Sequence, residues 1–275
     1  MPSGNDYLKD KPKSSFLLGA DFGEGKTSVV ITFPKIYYIG FRQGGLSVLN
    51  KPENEKYKKN LVWYEELCPK SDVEIKEMFK PDGRVGRIYK VIDHAKELAS
   101  KGEVETLAID DSSDWSTNTM KYIWTFDFKV GQNGQPDTQS MFGTLLRTQS
   151  NIIDQDIMTF RRFGNVIMTC HLMRESEQSL EGTKTRAKAV DKMSDLFPDI
   201  IGSIRREMQR KFENVIYMEA KLQPDGKTKK YVGYTEKQVA MGTVVKTKNV
   251  LGLPPIIENI NYQTLFNHNH AVKPA

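Results

Sequence analysis

The residues best equipped for chemistry stand early in the sequence, in Ala20-Asp21-Phe22-Gly23-Glu24-Gly25-Lys26-Thr27-Ser28. The glycines and the closing Lys-Thr have the spacing of a phosphate-binding loop, with Ala20 where the first glycine usually stands. Small residues let consecutive backbone N–H groups turn inward and ring an anion at a helix N-terminus. Lys26 would then neutralise β- and γ-phosphate oxygens, and the Thr27 hydroxyl is a hard oxygen ligand of the kind Mg²⁺ takes. The spacing therefore predicts ATP and Mg²⁺ as ligands of residues 20–28. The bland alternative is a glycine-rich turn with a solvated lysine.

A second set of groups follows two apolar runs. Residues 106–109 read as a buried strand that runs into Asp110-Asp111, and parallel α/β sheets bind ligands at strand carboxyl ends. Asp110 is expected to hold Mg²⁺ through water. Asp111 has two readings, orienting a nucleophilic water or capping the next helix, because Asp-Ser-Ser-Asp is also capping chemistry. The run 165–170 ends on Thr169-Cys170-His171. His171 there could sense a γ-phosphate or contact a catalytic water; the competing reading is a hydrogen-bonded histidine at a strand end. Cys170 reads as core, and His268 with His270 has nothing around it to complete a metal site.

These groups need a scaffold, and the hydrophobic pattern supplies one. Residues 15–19 read as a buried strand, 26–32 as a helix that stops before Pro34, and 36–39 as a second strand. Ile88, Val91, Ile92, Ala95 and Leu98 fall at helical spacing in 87–101, with Gly102 as the stop. Beyond the loop 130–137 a helix is expected over 141–162, closed by Gly164, then a long mobile loop over 173–195 and a helix over 198–211. Strands follow at 215–218, 231–234 and 244–246, with Pro224-Asp225-Gly226 as a hairpin turn. The expected fold is α/β: a mostly parallel sheet flanked by helices, with a C-terminal antiparallel hairpin extension. One domain spans 14–260, with 50–81 as a peripheral insertion containing helices near 72–79. Residues 1–13 and 261–275 read as tails.

Composition bounds the rest. The chain has 275 residues, 38% apolar and 27% charged, enough to bury a core. No run reaches the roughly 20 apolar residues of a membrane span, so a cytoplasmic protein is expected. Cys68 and Cys170 are its two cysteines, too few for a disulfide framework. The net charge of +5 favours a polyanionic partner. Lys184, Arg186, Lys188 and Lys192 could contact the phosphates of such a partner, although Glu175, Glu177, Glu181 and Asp191 dilute their field.

Taken in order, Gly-Glu-Gly-Lys-Thr-Ser at the loop, Ala-Ile-Asp-Asp-Ser and Val-Ile-Met-Thr-Cys-His-Leu make the chain resemble a RecA-like phage nucleotide-binding family. Members of that family are linked to single-strand annealing and recombination. The resemblance implies a RecA-like P-loop NTPase core, a homo-oligomer in a ring or filament, and single-stranded DNA as partner. It also implies a basic residue reaching the neighbouring subunit's nucleotide, which falls to Lys248, with Lys246, in Lys246-Thr247-Lys248-Asn249-Val250-Leu251-Gly252. Where it leads one to expect a catalytic glutamate, after the second strand, this chain has Gln43. Glutamine orients water but cannot accept its proton, so an ATPase of low turnover is expected unless Asp111 or Glu24 substitutes. The alternatives are a helicase motor or loader and a non-catalytic nucleotide-gated scaffold.

Overall fold

Short runs of β-branched, aromatic and leucine residues bounded by glycine or proline form the sheet because both of its faces are covered. The computed structural model describes residues 13–79, 86–131, 133–174, 195–201, 204–224, 229–236, 239–240, 243–245 and 247–266. In chain order β1 (Ser15–Gly19) leads through α1 (Lys26–Val30) to β2 (Ile36–Gly40). Two 3-10 segments, Gly45–Asn50 and Pro52–Asn60, precede β3 (Leu61–Glu66), α2 (Asp72–Phe79), α3 (Arg87–Ser100) and β4 (Thr106–Asp110). Then come α4 (Ser112–Phe126), α5 (Thr138–Asn151) and β5 (Asn165–Cys170). Beyond it lie β6 (Leu172–Arg174), β7 (Asp195–Pro198), α6 (Ile204–Lys211), β8 (Asn214–Leu222) and β9 (Lys229–Tyr234). The last elements are β10 (Val239–Ala240), β11 (Thr243–Val245), β12 (Lys248–Asn249), β13 (Ile256–Glu258) and α7 (Tyr262–Phe266).

The main sheet runs β13-β9-β8-β1-β5-β4-β2-β3, with β12 beside β8. From β8 to β3 every pairing is parallel, whereas β9, β12 and β13 add on antiparallel. A smaller sheet joins β10, β11, β7 and β6. Parallel strands deliver their carboxyl ends to one edge. There Gly19 pairs with Cys170 and Gly40 with Asp110, so the loops after β1, β2, β4 and β5 meet.

Alternation decides which face each side chain joins. Leu17, Tyr37, Leu107, Ile109 and Met168 pack toward α3, α4 and α5, whereas Phe16, Leu18, Tyr38, Ala108 and Ile167 pack toward α1 and the C-terminal segment. Among the described residues no helix is long and apolar enough to cross a membrane.

Four expectations change. The helix expected over 141–162 begins earlier, at Thr138, because Asp137 caps it by accepting the Ser140 N–H at 3.0 Å. It continues past Asn151 as a π turn and a 3-10 turn, Ile152–Ile157 and Met158–Arg162. The region 50–81 is not wholly peripheral: Leu61–Glu66 extends the sheet edge against β2, where the consecutive residues Val62, Trp63 and Tyr64 are all exposed and the burial signal is weak. The helix expected over 198–211 starts only at Ile204, since 195–198 pairs as a strand. Residues 262–266, read as tail, fold as α7 with Leu265 buried and Tyr262 and Phe266 in edge contact with Phe33.

Candidate functional site

The loops at the strand ends enclose a cleft of about 400 Å³. Its floor is residues 22–28, one wall is Asp110, Asp111 and His171, and the other is Arg42 to Gly45 with Ser47, Val48 and Lys51. Tyr231 from β9 closes one side.

Positive φ at Gly23 (78°) and Gly25 (84°) turns the loop into α1, a conformation that glycine adopts without steric cost. The two glycines are needed for different reasons. A side chain on Gly23 would meet nothing within 4 Å, whereas one on Gly25 would strike the Tyr231 ring at 2.1 Å. Glu24 is tied down, its carboxylate accepting the Ala220 N–H of β8. Phe22 is 78% exposed and stacks against the His171 ring at 6.1 Å, with the Arg42 guanidinium 5.7 Å from its ring centre.

Lys26 is buried, and its ammonium donates to the carbonyls of Ala20 (2.8 Å) and Asp21 (3.2 Å). Burial pushes its pKa below the ordinary 10.5, against the pull of Cys170, Asp110, Asp111 and Asp21. The same ammonium is 3.1 Å from His171 Nδ1. An ammonium only donates, so Nδ1 accepts and the proton of the neutral ring belongs on Nε2, a tautomer assigned from the contacts. Nε2 lies 2.8 Å from Asp111 Oδ2, close but out of hydrogen-bond alignment. Lys26, His171 and Asp111 thus form one file across the cleft.

The two neighbouring aspartates have different surroundings. Asp110 accepts three hydroxyls: Thr27 at 2.6 Å and Tyr38 on Oδ2, and Thr169 on Oδ1. Burial, then the carboxylate, pushes the Tyr38 pKa well above 10.0, so its hydroxyl keeps the proton it donates. Gly45 makes room for that hydroxyl, since a Cβ there would stand 3.0 Å from it. Asp111 caps α4 through the Asp114 N–H at 2.8 Å. Burial raises its pKa, yet His171, the Asp114 N–H and Arg42 outweigh that and hold it below 3.8. Arg42 itself pairs with Asp114 at 2.8 Å.

The donor set fits a magnesium-bound nucleoside triphosphate. Among the described residues no cluster of three or more His, Cys, Asp or Glu side chains could hold a metal by itself. The Thr27–Asp110 pair instead suits Mg²⁺, which takes its remaining oxygens from phosphate and water. The first N–H groups of α1 have no acceptor within the helix and face the loop.

The fold thus brings residues 22–28, Gln43, Asp110, Asp111 and His171 to one cleft, with Ala20 and Asp21 beneath it as the carbonyls that hold Lys26. Lys248 is not brought there. It pairs with Val215 near the start of β8, at the opposite end of the sheet, is exposed, and donates to Arg210 O at 3.2 Å. Lys184, Arg186, Lys188, Lys192, Lys246, His268 and His270 lie outside the described residues. Sequence reasoning missed Tyr38, Arg42, Lys51, Asp114 and Tyr231. Of these, Tyr38 and Arg42 flank the end of an expected strand and could have been flagged; Tyr231 is some 200 residues from the loop it touches and gave no signal.

A glycine turn between a buried parallel strand and a helix, with lysine, threonine and a strand-end aspartate around one cleft, defines a P-loop NTPase. A family model described as AAA domain matches residues 12–243, most of the chain, and the protein belongs to that family. Its members are nucleotide-binding P-loop ATPases. Among solved structures the chain is similar to a prototypical ATPase from the type III secretion system of pathogenic bacteria, at 12% identity and a TM-score of 0.39. That match covers 77% of this chain and spans about half, 52%, of the other. No curated protein sequence matches.

Proposed function

We propose that the protein binds ATP with Mg²⁺ in this cleft, hydrolyses it slowly, and uses the nucleotide to govern a single-stranded DNA complex in phage recombination or annealing. The observation that carries the nucleotide reading is the Thr27–Asp110 contact at 2.6 Å beside the buried ammonium of Lys26. Lys26 would exchange the Ala20 and Asp21 carbonyls for β- and γ-phosphate oxygens. Thr27 and Asp110 would hold Mg²⁺, whose charge neutralises the phosphates, while Tyr38 and Thr169 keep Asp110 oriented. His171, whose ring lies between Lys26 and Asp111, would register the γ-phosphate.

Slow hydrolysis follows from the shortage of a base. Gln43 lines the cleft but cannot take a proton. Glu24 is engaged by β8, and Asp111, with its pKa held down, is a weak acceptor. Lys248, far from its own chain's cleft, could serve only a neighbouring subunit's nucleotide in a homo-oligomer. The DNA and phage parts of the proposal rest on the family resemblance and on the basic run at 184–192.

ATP turnover with and without single-stranded DNA, alongside mass in each nucleotide state, tests the proposal. Slow turnover altered by DNA, with assemblies larger than one chain, is the expected result. Fast turnover coupled to strand movement would favour a helicase motor or loader instead. ATP binding without any turnover would favour a nucleotide-gated scaffold, the reading that Gln43 also permits.

A further inference from the structure

A second concavity, of about 520 Å³, lies away from the nucleotide cleft, between the 3-10 segment Pro52–Asn60 and the start of α7. Its lining includes Lys56, Tyr57, Lys59, Asn60, Tyr262 and Gln263, and no acidic residue. The pattern of charge pairing is selective. Glu55 takes Lys58, at 2.6 Å, the one lysine of the 56–59 run that does not line the groove. Among the described residues Lys56 and Lys59 have no carboxylate partner, and Lys56 lies 5.0 Å over the Tyr57 ring. Glu105, whose charge reaches Tyr262, is already paired with Lys35 at 3.1 Å.

The groove therefore offers two cations without a carboxylate partner among the described residues, the half-buried rings of Tyr57, beneath Lys56, and of Tyr262, which packs edge-on against Phe33 at 5.1 Å, and an exposed amide. Unpaired cations beside aromatic faces suit a chain of phosphodiesters carrying stackable bases. The volume lies within the range of small-ligand sites, enough for one or two nucleotides of a longer strand.

The groove also touches the phosphate loop's own helix. Asn60 Nδ2 donates to Ile31 O at 3.0 Å, and the Tyr262 N–H donates to Thr32 Oγ1 at 2.8 Å, so both walls grip the carboxyl end of α1. The amino end of that helix presents Lys26 and Thr27, only six residues or roughly 9 Å away.

We infer that this groove is a contact site for single-stranded nucleic acid, with Lys56 and Lys59 on phosphates and Tyr57 and Tyr262 against bases, joined to the nucleotide cleft by α1. The inference rests on the DNA reading above but places contacts apart from residues 184–192.

The test is binding of fluorescent oligothymidylate to the full chain across a salt series, for wild type, Lys56→Ala with Lys59→Ala, and Tyr57→Leu. Two lost phosphate contacts lower the log–log salt slope by about 1.4 and weaken binding about tenfold at moderate salt. Tyr57→Leu weakens binding about fivefold with the slope unchanged, because stacking releases no counterions. ATP affinity stays at the wild-type value in every variant, which shows that the fold and the cleft are intact. If wild type binds the strand and the double variant keeps its slope, the groove is overturned while DNA binding elsewhere stands. A wild-type chain that ignores the strand overturns both readings. A slope that falls while Tyr57→Leu binds as wild type and heparin competes equally well overturns the nucleic-acid assignment in favour of another polyanion.

Discussion

The cleft has two unlike walls. On the strand-end wall, taken with the floor that it adjoins, Lys26, Asp110 and Asp111 are buried and each makes several polar contacts within the protein, so their positions are over-determined. The opposite wall is exposed: Arg42, Gln43 and Gly44 leave β2 on a turn, where Arg42 pairs with Asp114 and lies near the Phe22 ring and Gly44 O accepts the Ser47 N–H. Binding phosphate and metal requires fixed charge and hard oxygen, which the first wall supplies. Activating water requires a base, which the second wall lacks. The contrast separates holding a nucleotide from cleaving it.

Removing the fixed charge should have the largest effect. Lys26→Ala is expected to abolish ATP binding or turnover, by at least about 10²-fold, because it strips the buried cation from the phosphate loop. A folded variant with unchanged ATP affinity and turnover would end the assignment of this wall. Next comes the missing base: Gln43→Glu should raise steady-state turnover toward the roughly 10²- to 10⁴-fold that general-base assistance provides. Asp111→Asn should matter little in that variant. Rapid wild-type hydrolysis that vanishes in Asp111→Asn, with no gain from Gln43→Glu, would move the base to the strand-end wall and erase the contrast.

Smaller effects sharpen the first wall. Asp110→Asn should weaken Mg²⁺-dependent ATP affinity more than Mg²⁺-free affinity. Tyr38→Phe should do the same by about tenfold, the value of one hydrogen bond to a charged group. Equal losses with and without Mg²⁺ in either variant would assign it a role in folding rather than metal orientation. The smallest effect is a pH dependence. Burial lowers the Lys26 pKa and bound phosphate favours its charged form, so ATP affinity falls as pH rises through that lowered value. Titration of ATP affinity on the alkaline side checks this, and constancy up to the ordinary 10.5 contradicts it.

Local information marked the strand-end wall in the sequence. The strands 15–19, 106–110 and 165–170 are continuous buried runs, and their final residues or the next carry the chemistry, so finding the strand finds the site. Asp111 kept two readings, and the geometry shows capping and the approach to His171 together. The rest depends on contacts remote in sequence. Tyr38 reads as an ordinary core tyrosine until Asp110 is placed opposite its hydroxyl. β3 is exposed at three consecutive residues and so shows no alternation, and α7 has five residues, too little pattern for periodicity to register.

The contact of Tyr231 with Gly25 has a consequence for how far the chain can be shortened. Tyr231 and the Ala220 N–H that holds Glu24 complete the phosphate loop from its far side, and both belong to the antiparallel hairpin of β8 and β9. A fragment stopped after β5 would keep every residue of the nucleotide motif yet leave Glu24 without its partner and Gly25 against water. α7 carries the boundary further, because Phe266 packs on Phe16 and Phe33 beneath α1. A piece that keeps the phosphate loop supported therefore needs α7, and deletion analysis from the carboxyl end should lose nucleotide binding in one step once α7 is cut.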